Sequence, residues 1–282
     1  MRDQAEKLKE LNFRQDRPVT IYAVASGKGG VGKSNLSLNL ALELASRDRR
    51  VLLIDGDLGM ANIDILAGVS GRYSVADYFE DRLPLEKILI PYGENLDILP
   101  GGSGLMGLQN ESRTEIQLFI ESLMEKGDYD IILIDAGAGV NSKLISFISF
   151  CHELILVTVP EPTAIADAYA LAKVLSVYKI KDRVRLVVNQ VSGPGEARDT
   201  FERLSKVRAT FLSLKMDLLG YIYSDKAVRR AVTSQSPFVR AYPQSLASRG
   251  IRDIADRLLD AGSVPRGGSL VETIQRFMKV FG

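Results

Sequence analysis

Gly27, Gly32, Lys33 and Ser34, in the stretch SGKGGVGKSN, occupy the fixed places of the phosphate-loop pattern G-x-x-x-x-G-K-[ST]. Gly27, Gly29, Gly30 and Gly32 lack a Cβ, so the backbone amides here are free to turn inward around phosphate oxygens. Such a loop works where a strand hands over to a helix N-terminus, whose dipole also favours anions. Lys33 is placed to neutralise β/γ-phosphate charge, and the Ser34 hydroxyl to ligate Mg²⁺. With Val31 and Asn35, residues 27–35 form the expected cradle for ATP or ADP. A second lysine, Lys28, follows the first glycine, where the pattern requires none.

Carboxylates recur at the tips of apolar runs. VLLIDGDLGMANIDILAG puts Asp55 at a strand end and Asp57 two residues later on the exit loop. Carboxylates there hold Mg²⁺ waters or orient an attacking water, and a strand-end aspartate also commonly caps the next helix. YDIILIDAGAGV ends in Asp135 followed by small residues, the form of a Walker B strand whose acid accepts a hydrogen bond from a metal-bound water. VRLVVNQV ends in Asn189, whose amide both donates and accepts at an adenine edge. No N-K-x-D guanine signature is present, which points to ATP rather than GTP.

These residues need a scaffold that brings several strand ends together. The runs VTIYAVAS, VLLID, LDILP, YDIILID, ELILVTV, VRLVVNQ and LLGYIY alternate with helix-period segments such as 33–48, 111–126, 164–179 and 196–214. Strands apolar on both faces and separated by helices require a parallel sheet covered on two sides. The expectation is an α/β fold, doubly wound and mostly parallel with helices on both faces, as one domain over 18–261. Short helical extensions fall outside it: an N-terminal segment, 1–17, and a linker with a C-terminal helix, 262–282.

The 282 residues are 46% apolar and 25% charged, a composition suited to a packed core rather than disorder. A net charge of +1 supplies no global field for nucleic acid, and no sequence-specific nucleic-acid binding is expected. The single cysteine, Cys151, lies in an apolar run, which reads as a core thiol in a reducing compartment, with cytoplasmic localisation. The one histidine, His152, has no partners at metal-ligand spacing and reads as structural.

KGGVGKS, with Lys28 as the extra lysine, resembles the deviant Walker A motif of the MinD/ParA family of P-loop ATPases. That resemblance implies a homodimer formed on ATP, in which Lys28 reaches the triphosphate bound by the partner, as an arginine finger does. A solvated loop lysine, or one serving its own phosphates, is the alternative. By the same resemblance DGDLGMAN is a switch I segment, in which Asp57 positions the water and shares Mg²⁺ with Ser34 and Asp135. Asp135 opens switch II, where Ala136 and Gly137 depart from the family's usual Ser/Thr and Pro. Lys28, Asp57 and Asp135 are thus the implied catalytic residues. Asn189 reads the base, and Ser224 and Asp225 line the second side of its pocket, a role that competes with capping of a helix over 226–235. Glu161 and Pro162 lie near the implied dimer face.

The two ends carry the remaining expectations. In SLVETIQRFMKVF, Leu270, Ile274, Phe277, Met278 and Phe281 fall on one helical stripe flanked by Arg276 and Lys279. This resembles the family's amphipathic membrane-targeting helix and implies reversible binding to anionic lipids on the inner face of the cell membrane. Docking of the stripe on the protein's own domain is the alternative. At the N-terminus, Asp3, Gln4 and Ala5 match the D-Q-A motif of the FlhG-type (YlxH/FleN) regulators of flagellar number. The resemblance implies stimulation of the SRP-type GTPase FlhF, with flagellar switch or transcription proteins as further partners. A MinD-like division-site regulator and a ParA-like DNA-partitioning ATPase are the alternatives.

Overall fold

The structure is a computed structural model that describes residues 19–56, 62–101, 115, 118–119, 122–123, 126, 128–211 and 213–260. Eight strands form one sheet: β1 Thr20–Ser26, β2 Val51–Asp55, β3 Ile90–Pro91, β4 Leu96–Leu99, β5 Ile131–Ala138, β6 Glu153–Thr158, β7 Arg183–Val191 and β8 Lys215–Tyr223. Their order is β3-β4-β2-β5-β1-β6-β7-β8. Only the β3–β4 pair is antiparallel. The described helices are α1 Lys33–Ala45, α2 Ile63–Ala67, α3 Val75–Glu80, α4 Leu85–Ile88, α5 Ser142–Phe150, α6 Pro162–Val177, α7 Pro194–Phe211, α8 Lys226–Thr233, α9 Phe238–Ala241 and α10 Leu246–Asp260. The chain is a single-domain α/β fold with helices on both faces of a mostly parallel sheet.

Strand β1 shows why the sequence builds two cores. Every residue of TIYAVAS is buried, and successive side chains in a strand point to opposite faces. Ile21, Ala23 and Ala25 enter one layer, with Leu144 and Phe147 of α5, Leu171 and Leu175 of α6 and Leu204 of α7. Tyr22 and Val24 enter the other, with Leu36, Leu40 and Leu44 of α1 and Ile251, Ile254 and Leu258 of α10. Burying a side chain of this kind contributes roughly 1.5–3 kcal/mol. This two-sided demand explains the unbroken apolar runs.

The structure shortens one expected helix and agrees with the expectations for Cys151 and His152. Helix α1 stops at Ala45, and Asp48 has φ 56°, a left-handed conformation that no helix continues. The apolar run 142–150 is a helix, capped by Asn141, whose Oδ1 accepts the Leu144 amide at 2.8 Å. His152 is structural: its Nδ1 accepts the Ile21 amide at 3.0 Å, and its own amide donates to the Ile21 carbonyl at 2.9 Å. Cys151 is buried and free, and burial pushes its thiol up to about 12.

Candidate nucleotide site

In an open α/β sheet, ligands sit beyond the C-terminal strand ends where the chain's direction of winding reverses. Strand β1 is that place, because the chain passes from it to β2 on one side and later from β5 to β6 across it. The phosphate loop follows β1 directly and closes into α1, where the Leu36 amide donates to the Gly32 carbonyl at 3.0 Å. Gly32 has φ 86°, and a Cβ there would lie 2.3 Å from Asn189 Nδ2. A Cβ at Gly27 would lie 2.2 Å from the Asp167 backbone carbon. Close approach therefore requires both glycines, and the left-handed backbone requires Gly32 a second time.

Lys33 meets Asp135 inside the loop. Its Nζ lies 2.6 Å from Asp135 Oδ1, and the two side chains are 7% and 0% exposed. Ser37, fully buried one turn along α1, has its Oγ 3.2 Å from the same carboxylate oxygen and 3.1 Å from the Lys33 carbonyl. Asp135 Oδ2 is buried without a hydrogen-bond partner. A buried carboxylate oxygen with nothing to accept is costly unless a ligand or metal-bound water completes it. That orphaned oxygen fits the donor set of Mg²⁺, for which the Ser34 hydroxyl at the first turn of α1 would be a second donor. No cluster of three or more His, Cys, Asp or Glu that could hold a metal occurs among the described residues. Among the described residues Ser34 and Asp135 are the groups that would hold the ion, with phosphate oxygens and waters supplying further donors. Ser37 was not singled out from the sequence, although its spacing of four from Lys33 places both on one face of α1.

Asp55 lies beside Asp135 across the β2–β5 pairing and is 1% exposed. Its Oδ2 accepts the amides of Asn62 at 3.0 Å and Ile63 at 3.2 Å. Of the two readings open for Asp55, this geometry is the helix cap. Past Asp135, Gly137 near the end of β5 and Gly139 just beyond it have φ 80° and 90°, and the Gly139 amide donates to the Ser26 carbonyl at 2.9 Å. Ser26 Oγ in turn donates to the Lys28 carbonyl at 2.9 Å.

A cleft of about 310 Å³ opens between the loop and the ends of β7 and β8, lined among others by Gly30, Gly32, Asn35, Asn189, Gln190, Ser224, Asp225 and Arg229. This is the volume range of small-ligand sites. Asp225 caps α8, accepting the Ala227 amide at 2.8 Å and the Ala247 amide at 3.4 Å. Asn189 donates from Nδ2 to the Val31 carbonyl at 2.7 Å and accepts the Gln190 amide at 2.9 Å. Lys28 turns away from the loop: its Nζ is 3.0 Å from Glu161 Oε2 and 3.1 Å from Thr163 Oγ1, at the N-terminus of α6. Of the expected site residues, the structure places Gly30, Gly32, Asn35, Asn189, Ser224 and Asp225 on one crevice, with Asp135 bound to Lys33 of the same loop and Lys28 directed to α6. Asp57, Asp3, Gln4, Ala5, Leu270, Ile274, Phe277, Met278 and Phe281 lie outside the described residues.

Known proteins share this fold. The family model ParA, described as NUBPL iron-transfer P-loop NTPase, matches residues 18–259. The chain belongs to the ParA family of P-loop NTPases. Among ParA-family proteins it is 38% identical to the antiactivator FleN of Pseudomonas aeruginosa over 242 residues, 86% of each chain. It is 33% identical to the flagellum site-determining protein YlxH of Helicobacter pylori over 297 aligned positions, spanning both chains in full. The septum site-determining protein MinD of Pyrococcus horikoshii, solved with Mg-ADP, superposes with a TM-score of 0.68 at 27% identity, covering 87% of this chain and 98% of that one. The resemblance to MinD/ParA ATPases and to the FleN/YlxH branch is thereby established, and the chain is a P-loop ATP hydrolase. No described helix is long and apolar enough to cross a membrane.

Proposed function

We propose that this ParA-family ATPase is a MinD-type switch that controls the number and placement of flagella. In this reading it dimerises on ATP through the nucleotide face, holds the inner membrane surface through 262–282, and stimulates the SRP-type GTPase FlhF through 1–17. The observation that carries the switch mechanism is the pairing of the two loop lysines. Lys33 is committed to its own site through Asp135, whereas Lys28 points outward at 39% exposure, held only by surface partners.

In this mechanism Lys33 exchanges Asp135 Oδ1 for phosphate oxygens when ATP enters, which frees that carboxylate to accept hydrogen bonds from water. Ser34 and Asp135 would hold Mg²⁺, which when bound neutralises charge developing on the β- and γ-phosphates. Asp57 orients the attacking water. Lys28 releases Glu161 and delivers its positive charge to the partner's triphosphate, so chemistry waits for assembly. Two tails on one dimer then bind lipid through effective concentration, which each alone does only weakly. The likeness to YlxH, a flagellum site-determining protein, supports the flagellar output, and the MinD likeness supports the ATP cycle.

The deciding experiment is ATPase rate per subunit against protein concentration, for the unaltered chain beside Lys28→Ala. A rate that climbs with concentration and falls at least tenfold in the variant supports hydrolysis in trans. A flat rate, or an unchanged variant, sinks it.

A further inference from the structure

Among the described residues, two side-chain donors reach the Asp135 carboxylate, and both meet the same oxygen. Lys33 Nζ lies 2.6 Å from Oδ1, and Ser37 Oγ lies 3.2 Å from it. A hydroxyl carries a single hydrogen, yet at Ser37 two acceptors compete for it, Asp135 Oδ1 at 3.2 Å and the Lys33 carbonyl at 3.1 Å. Hydrogen bonds from hydroxyls normally span about 2.5–3.0 Å, so neither acceptor holds this one at full strength. Helical hydroxyls of this chain with one acceptor in reach sit closer to the carbonyl four residues back. The distance is 2.8 Å at Ser149 and Thr200 and 3.0 Å at Thr233. Ser37 is drawn off its carbonyl toward the carboxylate.

Nothing in helix propensity asks for a hydroxyl here. Ser37 is fully buried inside α1 among Leu36, Leu38, Asn39 and Leu40, where alanine would form helix better. A buried polar group in such a place is explained by what it serves. The carboxylate needs it once Lys33 turns to phosphate, because Oδ1 then loses its charged partner. No other described side chain donates to that oxygen.

Resting on the reading of the phosphate loop as the nucleotide site, we infer that Ser37 is a positioning residue for Asp135. Its hydroxyl hydrogen leaves the Lys33 carbonyl and passes wholly to Asp135 Oδ1 when nucleotide draws Lys33 away. Only the hydrogen bond changes partner, and no proton is transferred. The Lys33 carbonyl keeps the backbone amide that the helix supplies, so the hydroxyl leaves it at little cost. The new bond is the stronger one, since its acceptor is ionised. With Oδ1 pinned, the carboxylate cannot turn about its last torsion. Oδ2, the oxygen without a partner, stays free for a metal-bound water.

The test is a double-mutant cycle on the full chain, read by calorimetry with ADP in the absence of Mg²⁺. Ser37→Ala should weaken ADP about tenfold, the share of one hydrogen bond to a charged group. Without nucleotide it should shift the urea midpoint little, because Lys33 still covers Oδ1. Ser37→Cys restores the volume with a weak donor, and should match Ser37→Ala. Combined with Asp135→Asn, whose neutral amide holds such a donor only weakly, Ser37→Ala should change ADP affinity by less than about twofold. An equal loss in both backgrounds would make Ser37 a packing residue of the loop and overturn the inference. So would a Ser37→Cys chain that binds like the unaltered one. Undiminished ADP affinity in Ser37→Ala overturns it as well, yet leaves the nucleotide site standing. Failure of the unaltered chain to bind ADP removes the site reading and this role of Ser37 together.

Discussion

Lys33 and Asp135 close on each other across the phosphate loop, Nζ to Oδ1 at 2.6 Å, with both side chains almost wholly out of water. A phosphate entering the loop therefore competes with a carboxylate for the same ammonium group. Breaking a buried pair by removing one partner costs about 3–5 kcal/mol, because the remaining charge stays desolvated. Asp135→Asn, which keeps the shape and removes the charge, should lower stability without nucleotide, read from urea unfolding. The same variant should bind Mg²⁺-free ADP more tightly, on the order of tenfold, since Lys33 is no longer claimed. Hydrolysis should fall by two orders of magnitude or more. Weaker Mg²⁺-free ADP binding by the variant would show that Asp135 does not compete with phosphate.

Lys28 and Glu161 pair at 3.0 Å, but at 39% and 60% exposure. Exposed pairs of this kind contribute about 0–1 kcal/mol, and screening by salt reduces that further. Glu161→Gln should leave the urea midpoint close to that of the unaltered chain. If Lys28 must leave Glu161 to reach a partner's triphosphate, the same change should raise the ATP-dependent dimer fraction a few-fold in sedimentation experiments at low salt. A reduced dimer fraction would instead make Glu161 a dimer contact.

Asp55 contributes to structure through the amides of Asn62 and Ile63. Replacing it with alanine leaves two backbone donors without that acceptor, a loss of about 1–3 kcal/mol. Asp55→Ala should show that loss in urea unfolding, and Asp55→Asn, which keeps one acceptor oxygen, should recover part of it. Equal stability of all three proteins would return Asp55 to a role at the nucleotide.

The parts of this protein legible in sequence were those whose physics is local. The phosphate loop announces itself because glycine spacing, Lys33 and Ser34 are all needed within eight residues. The central strands do so because burial on two faces demands unbroken apolar runs. Strand β3 is two residues long, Ile90–Pro91, and too short to carry any period. Helices α3 and α4 are six and four residues, below the span in which a helical stripe emerges. The Lys33–Asp135 pair joins residues 102 apart in the chain, and the Asn189–Val31 tie joins residues 158 apart. Such contacts exist only once the sheet order is known. The left-handed backbone of Gln190, φ 59° within β7, was invisible for a different reason, because glutamine carries no turn signal and VRLVVNQV reads as regular strand throughout.

Cys151 permits a clean test of the core, being the only cysteine in the chain. Burial pushes its thiol from the ordinary 9.0 up to about 12, and the buried Tyr22 phenol, ordinarily 10.0, is also pushed up to about 12. For both groups the folded state holds its proton more tightly than the unfolded state. Their contribution to stability is therefore fully present below pH 9, and it is lost as pH rises from 9 through 12 while the unfolded chain ionises first. For Tyr22 alone, a shift of that size corresponds to about 3 kcal/mol. Urea unfolding should show a midpoint flat with respect to these groups near pH 8 and falling above pH 9. Tyr22→Phe should flatten the fall between pH 10 and 12, and Cys151→Ala should flatten its onset near pH 9. In the native protein at pH 8 the thiol should resist a thiol reagent that labels the urea-unfolded chain at once. Rapid native labelling would mean that the layer between the sheet and α5 opens far more readily than its packing implies.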